Sequence, residues 1–95
     1  MQWTDPLELS NNFVSAPKEP GFPDAIRVKP KTPARGGGGL LMRWKLSDGR
    51  ICEWDSQHGE VEMYSKRGKH LGPFDPETGE PISGKAADST RLIEP

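Results

Sequence analysis

The chain has one cysteine, Cys52, so no internal disulfide can staple it and stability has to come from packing. It also has no apolar run of the length needed to cross a bilayer, and no signal-peptide pattern opens it, so a soluble domain without stable membrane association is expected. Hydrophobic residues are only 32% and aromatics 7% of 95 residues, which limits the chain to one domain with a modest core and little more than one buried sheet. Ten prolines and eleven glycines argue against long helices. There is no internal repeat, and the His-x-x-x-His spacing of hydrolytic zinc sites is missing.

Charge of one sign is lacking overall, since the formal net charge is −1, but its distribution is uneven. Residues 1–24 carry −3, residues 25–71 carry +5 and residues 72–95 carry −3. A basic centre suits a polyanion such as nucleic acid, and an ordinary solvated surface would account for the same counts.

Thr4-Asp5-Pro6 followed by Leu7-Glu8-Leu9 offers a helix start of at most two turns, stopped at Asn11-Asn12. Between Ala16 and Gly39 come Pro17, Pro20, Pro23, Pro30 and Pro33 and then the glycines 36–39, a segment expected to cross the surface extended and without regular pairing. Its bases Arg27, Lys29, Lys31 and Arg35 could track a phosphate backbone or belong to a plain connector. The rest reads as antiparallel strands over residues 40–46, 50–54, 60–65 and 69–74, with a further short strand around Arg91-Leu92-Ile93. Turns are expected at Ser47-Asp48-Gly49, Ser56-Gln57-His58-Gly59, Lys66-Arg67-Gly68 and Asp75-Pro76-Glu77-Thr78-Gly79. The fold class is therefore α+β, mainly β. One domain spans 1–95, made of a helix and proline/glycine-rich arm (1–39) and an antiparallel sheet (40–95).

The densest chemistry lies in Glu53-Trp54-Asp55-Ser56-Gln57-His58-Gly59-Glu60-Val61-Glu62-Met63-Tyr64. A four-residue loop at 56–59 sets Asp55 opposite Glu60, Glu53 opposite Glu62 and Ile51 opposite Tyr64, all on one side. Cys52, Trp54, Val61 and Met63 then form a core face, on which Cys52 is a structural thiol and Trp54, like Trp44, is packing rather than a base-stacking platform. Like charges placed opposite each other weaken a structural sheet, so three carboxylates, Glu53, Asp55 and Glu62, set around His58 point to proton transfer. Ile51 on that polar face is unexplained by the pattern.

Cleavage of RNA through its own 2′-hydroxyl needs a base, an acid for the leaving 5′-oxygen and a cation for the crowded phosphorane. Glu62 fits the base, His58 the acid, Asp55 the group that orients His58, and Arg91 or a lysine the phosphate clamp. Asp55, His58, Glu62 and His70 are also ligand types for zinc or manganese, and isolated surface acids and histidines without chemistry would look the same.

Arg43-Trp44, the block Glu53-Trp54-Asp55-Ser56-Gln57-His58-Gly59-Glu60 with Glu62 and Tyr64, His70-Leu71-Gly72, Phe74-Asp75-Pro76 and Thr78-Gly79 resemble the C-terminal cytotoxic ribonuclease domain of the ribosome-inactivating E-type colicins and cloacin. Ala16-Pro17-Lys18, Lys31-Thr32-Pro33 and the glycine run extend the likeness over residues 13–93. The resemblance implies a short helix followed by a highly twisted antiparallel sheet. It implies a metal-independent endoribonuclease, without cofactor, that cuts 16S ribosomal RNA in the decoding site and stops translation. Its catalytic residues would be Asp55, His58, Glu62 and Arg91, with Tyr64, Glu60, His70, Lys85, Arg43 and Lys45 as substrate-binding candidates.

The implied partners are the small ribosomal subunit and a cognate immunity protein bound beside the cleft, with Arg43, Lys45, Lys66, Arg67 and Lys69 as leading contacts. The chain would be a fragment or processed tip of a larger toxin with receptor-binding and translocation regions, released by a producing bacterium and active in the target cell's cytoplasm. Two departures from the family pattern stand out: its members are strongly basic, and Leu40 and Leu41 replace expected basic residues. A transfer-RNA or less selective ribonuclease on the same scaffold, or a non-catalytic RNA-binding module, are the alternatives.

Overall fold

The computed structural model describes residues 21–34 and 36–95. The helix expected near Leu7 lies outside them. Five strands, β1 (Ile26–Val28), β2 (Arg43–Lys45), β3 (Ile51–Asp55), β4 (Glu60–Tyr64) and β5 (His70–Phe74), form one antiparallel sheet in sequence order. The described residues contain no helix.

Each hairpin is set by its turn chemistry. Between β2 and β3, Gly49 adopts a φ of +93° and its N–H donates to the Leu46 carbonyl, while the Asp48 side chain accepts the N–H of Arg50. Between β3 and β4 the Gly59 N–H reaches back to the Asp55 carbonyl at 2.9 Å. That closure fixes the register Asp55↔Glu60, Glu53↔Glu62, Ile51↔Tyr64, the pairing expected from the four-residue loop.

One face of the sheet carries the core: Trp44, Cys52, Trp54, Val61 and Met63, joined by Phe22 and Leu46, with Ala25, Met42 and Phe74 packed against them. The opposite face is buried as well. Ile51, Glu53 and Tyr64 have no exposed surface, and Arg43 has almost none. The chain 91–94 runs across this side: Leu92 bridges to Lys69 and the Ile93 N–H donates to the Gly68 carbonyl. A β-carbon on Gly68 would collide with the Ile93 carbonyl, so this close crossing requires glycine. The expected strand around Leu92 is thus an isolated bridge, and Ile51 belongs to a second, smaller buried layer on this side of the sheet.

Two expectations about the arm are corrected. It pairs regularly, because Ile26–Val28 adds to the edge of β2. Its glycine run is the tip of a hairpin, with Leu41 N–H donating to Thr32, Ala34 N–H to Gly39, and Pro33 bridged to Leu40. Proline density hid a strand only three residues long, and three-residue strands carry too little alternation to read.

Strand β5 departs from simple alternation. Met63 pairs with Gly72 and Tyr64 with His70, which leaves Leu71 opposite nothing, as a bulge with Gly72 at φ +112°. If all of residues 70–74 alternated strictly, with no bulge, His70 would fall on the core side with Gly72 and Phe74. With the bulge, Leu71 turns outward and His70 joins the face of Glu62 and Tyr64.

Candidate active site

The β3–β4 hairpin, β5, the arm hairpin and the segment 85–91 enclose a cleft of about 730 Å³. Asp55, His58, Glu60, Glu62, His70, Lys85 and Arg91 all line it, so residues far apart in sequence are brought to one place.

Asp55 closes β3 and caps the loop after it. Its Oδ1 accepts the N–H groups of Gln57 and His58 at 3.0 and 3.2 Å, and its Oδ2 lies 2.7 Å from His58 Nδ1. The loop's own backbone therefore aims the carboxylate, and the carboxylate aims the ring. His58 is exposed, and its Nε2 has no partner among the described residues, leaving it to the cleft.

Glu62 is mostly buried. Its Oε1 is 2.7 Å from His70 Nε2 and 3.7 Å from an Arg91 guanidinium nitrogen. Arg91 also lies over the Tyr64 ring, 5.6 Å from its centroid, and His70 packs on the same ring at 5.3 Å. Burial pushes the Tyr64 phenol up to about 12, so it stays a neutral hydroxyl. Tyr64 has no exposed surface. It forms the floor that carries Arg91 and His70 rather than a surface for direct contact. Glu60 is taken by Lys85 at 2.6 Å.

Besides Tyr64, which lies beneath the cleft, two expected site residues do not line it. Arg43 is buried against Glu53, with Glu53 Oε2 accepting from Nε at 3.2 Å and Nη2 at 2.9 Å, while the guanidinium also reaches Thr32 Oγ1 and the Glu94 carbonyl. It clasps arm and tail to the sheet and offers no surface to a substrate or partner. Glu53 accordingly does not stand around His58, correcting the expectation of three carboxylates there. Lys45 is exposed but pairs with Ile51, four residues along β3 from Asp55.

The set Asp55, His58, Glu62 and His70 weighed as metal ligands is split, since Glu62 and His70 bond each other. The trio whose ligand atoms do approach, within 4.8 Å, is Asp55, His58 and Glu60. Two of its contacts are already used, Asp55 with His58 and Glu60 with Lys85.

The sequence reading missed the arm's part in the site. Thr32, Gly37, Gly38 and Leu41 form one wall of the cleft. The available signal was Thr32-Pro33 and Leu40-Leu41 flanking a glycine run, two short segments able to pair across a glycine turn.

The family described as Cytotoxic matches residues 14–94. Colicin-E6 and Cloacin, both of Escherichia coli, are each 57% identical over 66 residues, 67% of this chain and 12% of theirs. Colicin E3 of Escherichia coli is 56% identical over 82 residues, 81% of this chain and 15% of its own length. The chain thus spans less than a sixth of the curated relatives it matches. With the match covering most of its length, the chain belongs to the Cytotoxic family, the cytotoxic-domain family of the E-type colicins and cloacin.

Proposed function

We propose that this domain is an endoribonuclease toxin that cuts 16S ribosomal RNA in the decoding site. The observation that carries the reading is the paired arrangement in one cleft: a carboxylate, Glu62, held beside the Arg91 cation, and an imidazole, His58, oriented through Nδ1 by Asp55. Glu62 takes the proton of the 2′-hydroxyl, the 2′-oxygen attacks phosphorus, and His58 Nε2 delivers a proton to the departing 5′-oxygen. The products are a 2′,3′-cyclic phosphate and a free 5′-hydroxyl, and the same roles in reverse protonation would open the cyclic ester with water. Arg91 neutralises charge on the phosphorane, and Lys85 supplies a second cation at the rim. No step needs a metal ion.

A stacking module is a poorer reading. Among the described residues, Phe22, Trp44, Trp54 and Tyr64 are buried and Phe74 packs against the core, leaving no aromatic face open for bases. The polyanion is instead met by charge, and the exposed bases Lys45, Lys66, Arg67 and Lys69 belong to the +5 segment 25–71. The same bases form the proposed landing surface of an acidic immunity protein in the producing cell, leaving His58 and Glu62 mostly uncontacted. Release from the producer and action in a target bacterium's cytoplasm complete the reading.

Primer extension across the 3′ part of 16S RNA, after incubating ribosomes with the domain, tests it. One strong stop in the decoding region is expected. Intact 16S RNA, or cuts spread along it, would overturn the assigned target.

A further inference from the structure

His70 is almost fully buried at the centre of the site, and its hydrogen bonds decide which atoms of the ring and of Glu62 carry protons. The Asp88 backbone N–H points at His70 Nδ1 across 2.9 Å. A backbone amide can only donate, so Nδ1 accepts and carries no hydrogen. The remaining ring proton is on Nε2, 2.7 Å from Glu62 Oε1, to which it donates. The charged groups facing this ring are Glu62 from β4 and Asp88 and Arg91 from the C-terminal segment, with the neutral Tyr64 phenol beside them.

The amide that sets the tautomer is itself held. Asp88 Oδ1 accepts the Thr90 N–H and hydroxyl at 3.0 and 2.6 Å, and the Asp88 carbonyl accepts the Arg91 N–H. The Arg91 carbonyl then accepts the His70 N–H. One tight turn, 88–91, thus aims an amide at His70 and launches the Arg91 side chain toward the same oxygen of Glu62. The bulge at Leu71 completes the device by placing His70 on this face.

We propose that His70 is a positioning residue, locked as the Nε2–H tautomer by the Asp88 amide, which occupies Oε1 of Glu62 and leaves Oε2 as the atom that takes the 2′-proton. This rests on the ribonuclease reading above. Oε2 has no hydrogen-bond partner among the described residues, whereas Oε1 faces both a donor and a cation. A carboxylate tethered through one oxygen keeps the other at a fixed angle, and that preorganisation is what a general base needs. The proton passes from the 2′-hydroxyl to Oε2, while His70 keeps its own proton throughout.

Two measurements decide the matter. The chain has two histidines, so nitrogen-15 NMR of the folded protein, with His58→Ala for assignment, reads the His70 ring directly. A single Nε2–H tautomer is expected. An Nδ1–H tautomer, or a ring averaging between the two, overturns the lock whether or not the chain cleaves RNA. Kinetics on the decoding-stem RNA then separate the two ring positions. His70→Gln keeps a donor at the ε position and should hold kcat within about tenfold of the parent, while His70→Asn keeps only the acceptor for Asp88 and should lower kcat about 10–100-fold at unchanged KM. Equal losses in the two variants, or a loss confined to KM, overturn the positioning role. A parent chain that cuts no RNA sinks the ribonuclease reading instead, and the NMR result still decides the tautomer.

Discussion

Glu53 and Glu62 lie directly opposite each other on neighbouring strands, and each carboxylate is matched by its own partners on the side away from the other: Arg43 for Glu53, His70 and Arg91 for Glu62. One acid has become a structural anchor and the other a reactive group. The difference is access, because Glu53 is sealed under arm and tail while Glu62 borders the cleft.

Removing Arg43 should therefore damage the fold rather than the chemistry. Arg43→Ala leaves a buried carboxylate unpaired and frees both Thr32 and the Glu94 carbonyl, so a loss of about 3–5 kcal/mol is expected in urea denaturation. A loss below about 1 kcal/mol, the range of surface pairs, would mean the pair is open to water.

Glu62→Gln and His58→Ala should do the opposite. Neither side chain belongs to the hydrophobic core, so unfolding midpoints should stay near the parent while single-turnover cleavage falls about 10²–10⁴-fold. Near-parental cleavage by either variant, at matched folding, removes that residue from its assigned role.

Burial pushes the Cys52 thiol and the Tyr64 phenol from the ordinary 9.0 and 10.0 up to about 12. In the folded chain both hold their protons at a pH where the unfolded chain has lost them. Their contribution to stability is fully present below about pH 9 and is lost as pH rises through about 12. Tyr64 is the sole tyrosine, so its ultraviolet titration is free of overlap and should show a midpoint near 12. A midpoint at the ordinary value in a chain still folded would contradict its burial.

Chelation should leave cleavage of a short RNA carrying the decoding stem unchanged, since base, acid and cation are all side chains; the short substrate avoids the ribosome's own need for magnesium. Loss of activity restored by zinc or manganese would assign a metal to Asp55, His58 and Glu60.

Association with an acidic immunity protein should slow, and lose part of its salt dependence, when Lys66 and Arg67 are both reversed to glutamate, because both sit exposed on the β4–β5 turn. An association rate indifferent to these changes and to ionic strength would move the interface elsewhere.

The sheet's centre was legible because its signals are local. Asp48-Gly49 and the four-residue loop at 56–59 set two hairpins, and alternation along residues 51–55 and 60–64 then fixed which side chains share a face. The roles of Arg43 and Glu53 were not legible, because a buried ion pair looks like any other pair of charges until the segments that cover it are known. Ile51 was unreadable for the same reason. The His70–Glu62 contact also resisted reading, since simple alternation places His70 on the wrong side. Arg91 could be singled out from the lysines only through family likeness, as nothing within the acidic C-terminal segment says that its turn folds back onto β5.

The bulge also makes one residue of β5 dispensable. Leu71 projects outward, 40% exposed, and opposes no residue of β4, so its side chain carries little. It is the one residue in excess of a regular ladder, and the bulge absorbs it so that His70 stays opposite Tyr64. Exchange for alanine or serine at this position is nearly silent, and deletion only removes the bulge, because Gly72 opposite Met63 then runs straight into His70 opposite Tyr64 and His70 keeps its place beside Glu62. A scan by substitution and a scan by single-residue deletion would therefore both rank position 71 among the least important in the strand, the shortened strand losing the bulge and keeping the Glu62 tether.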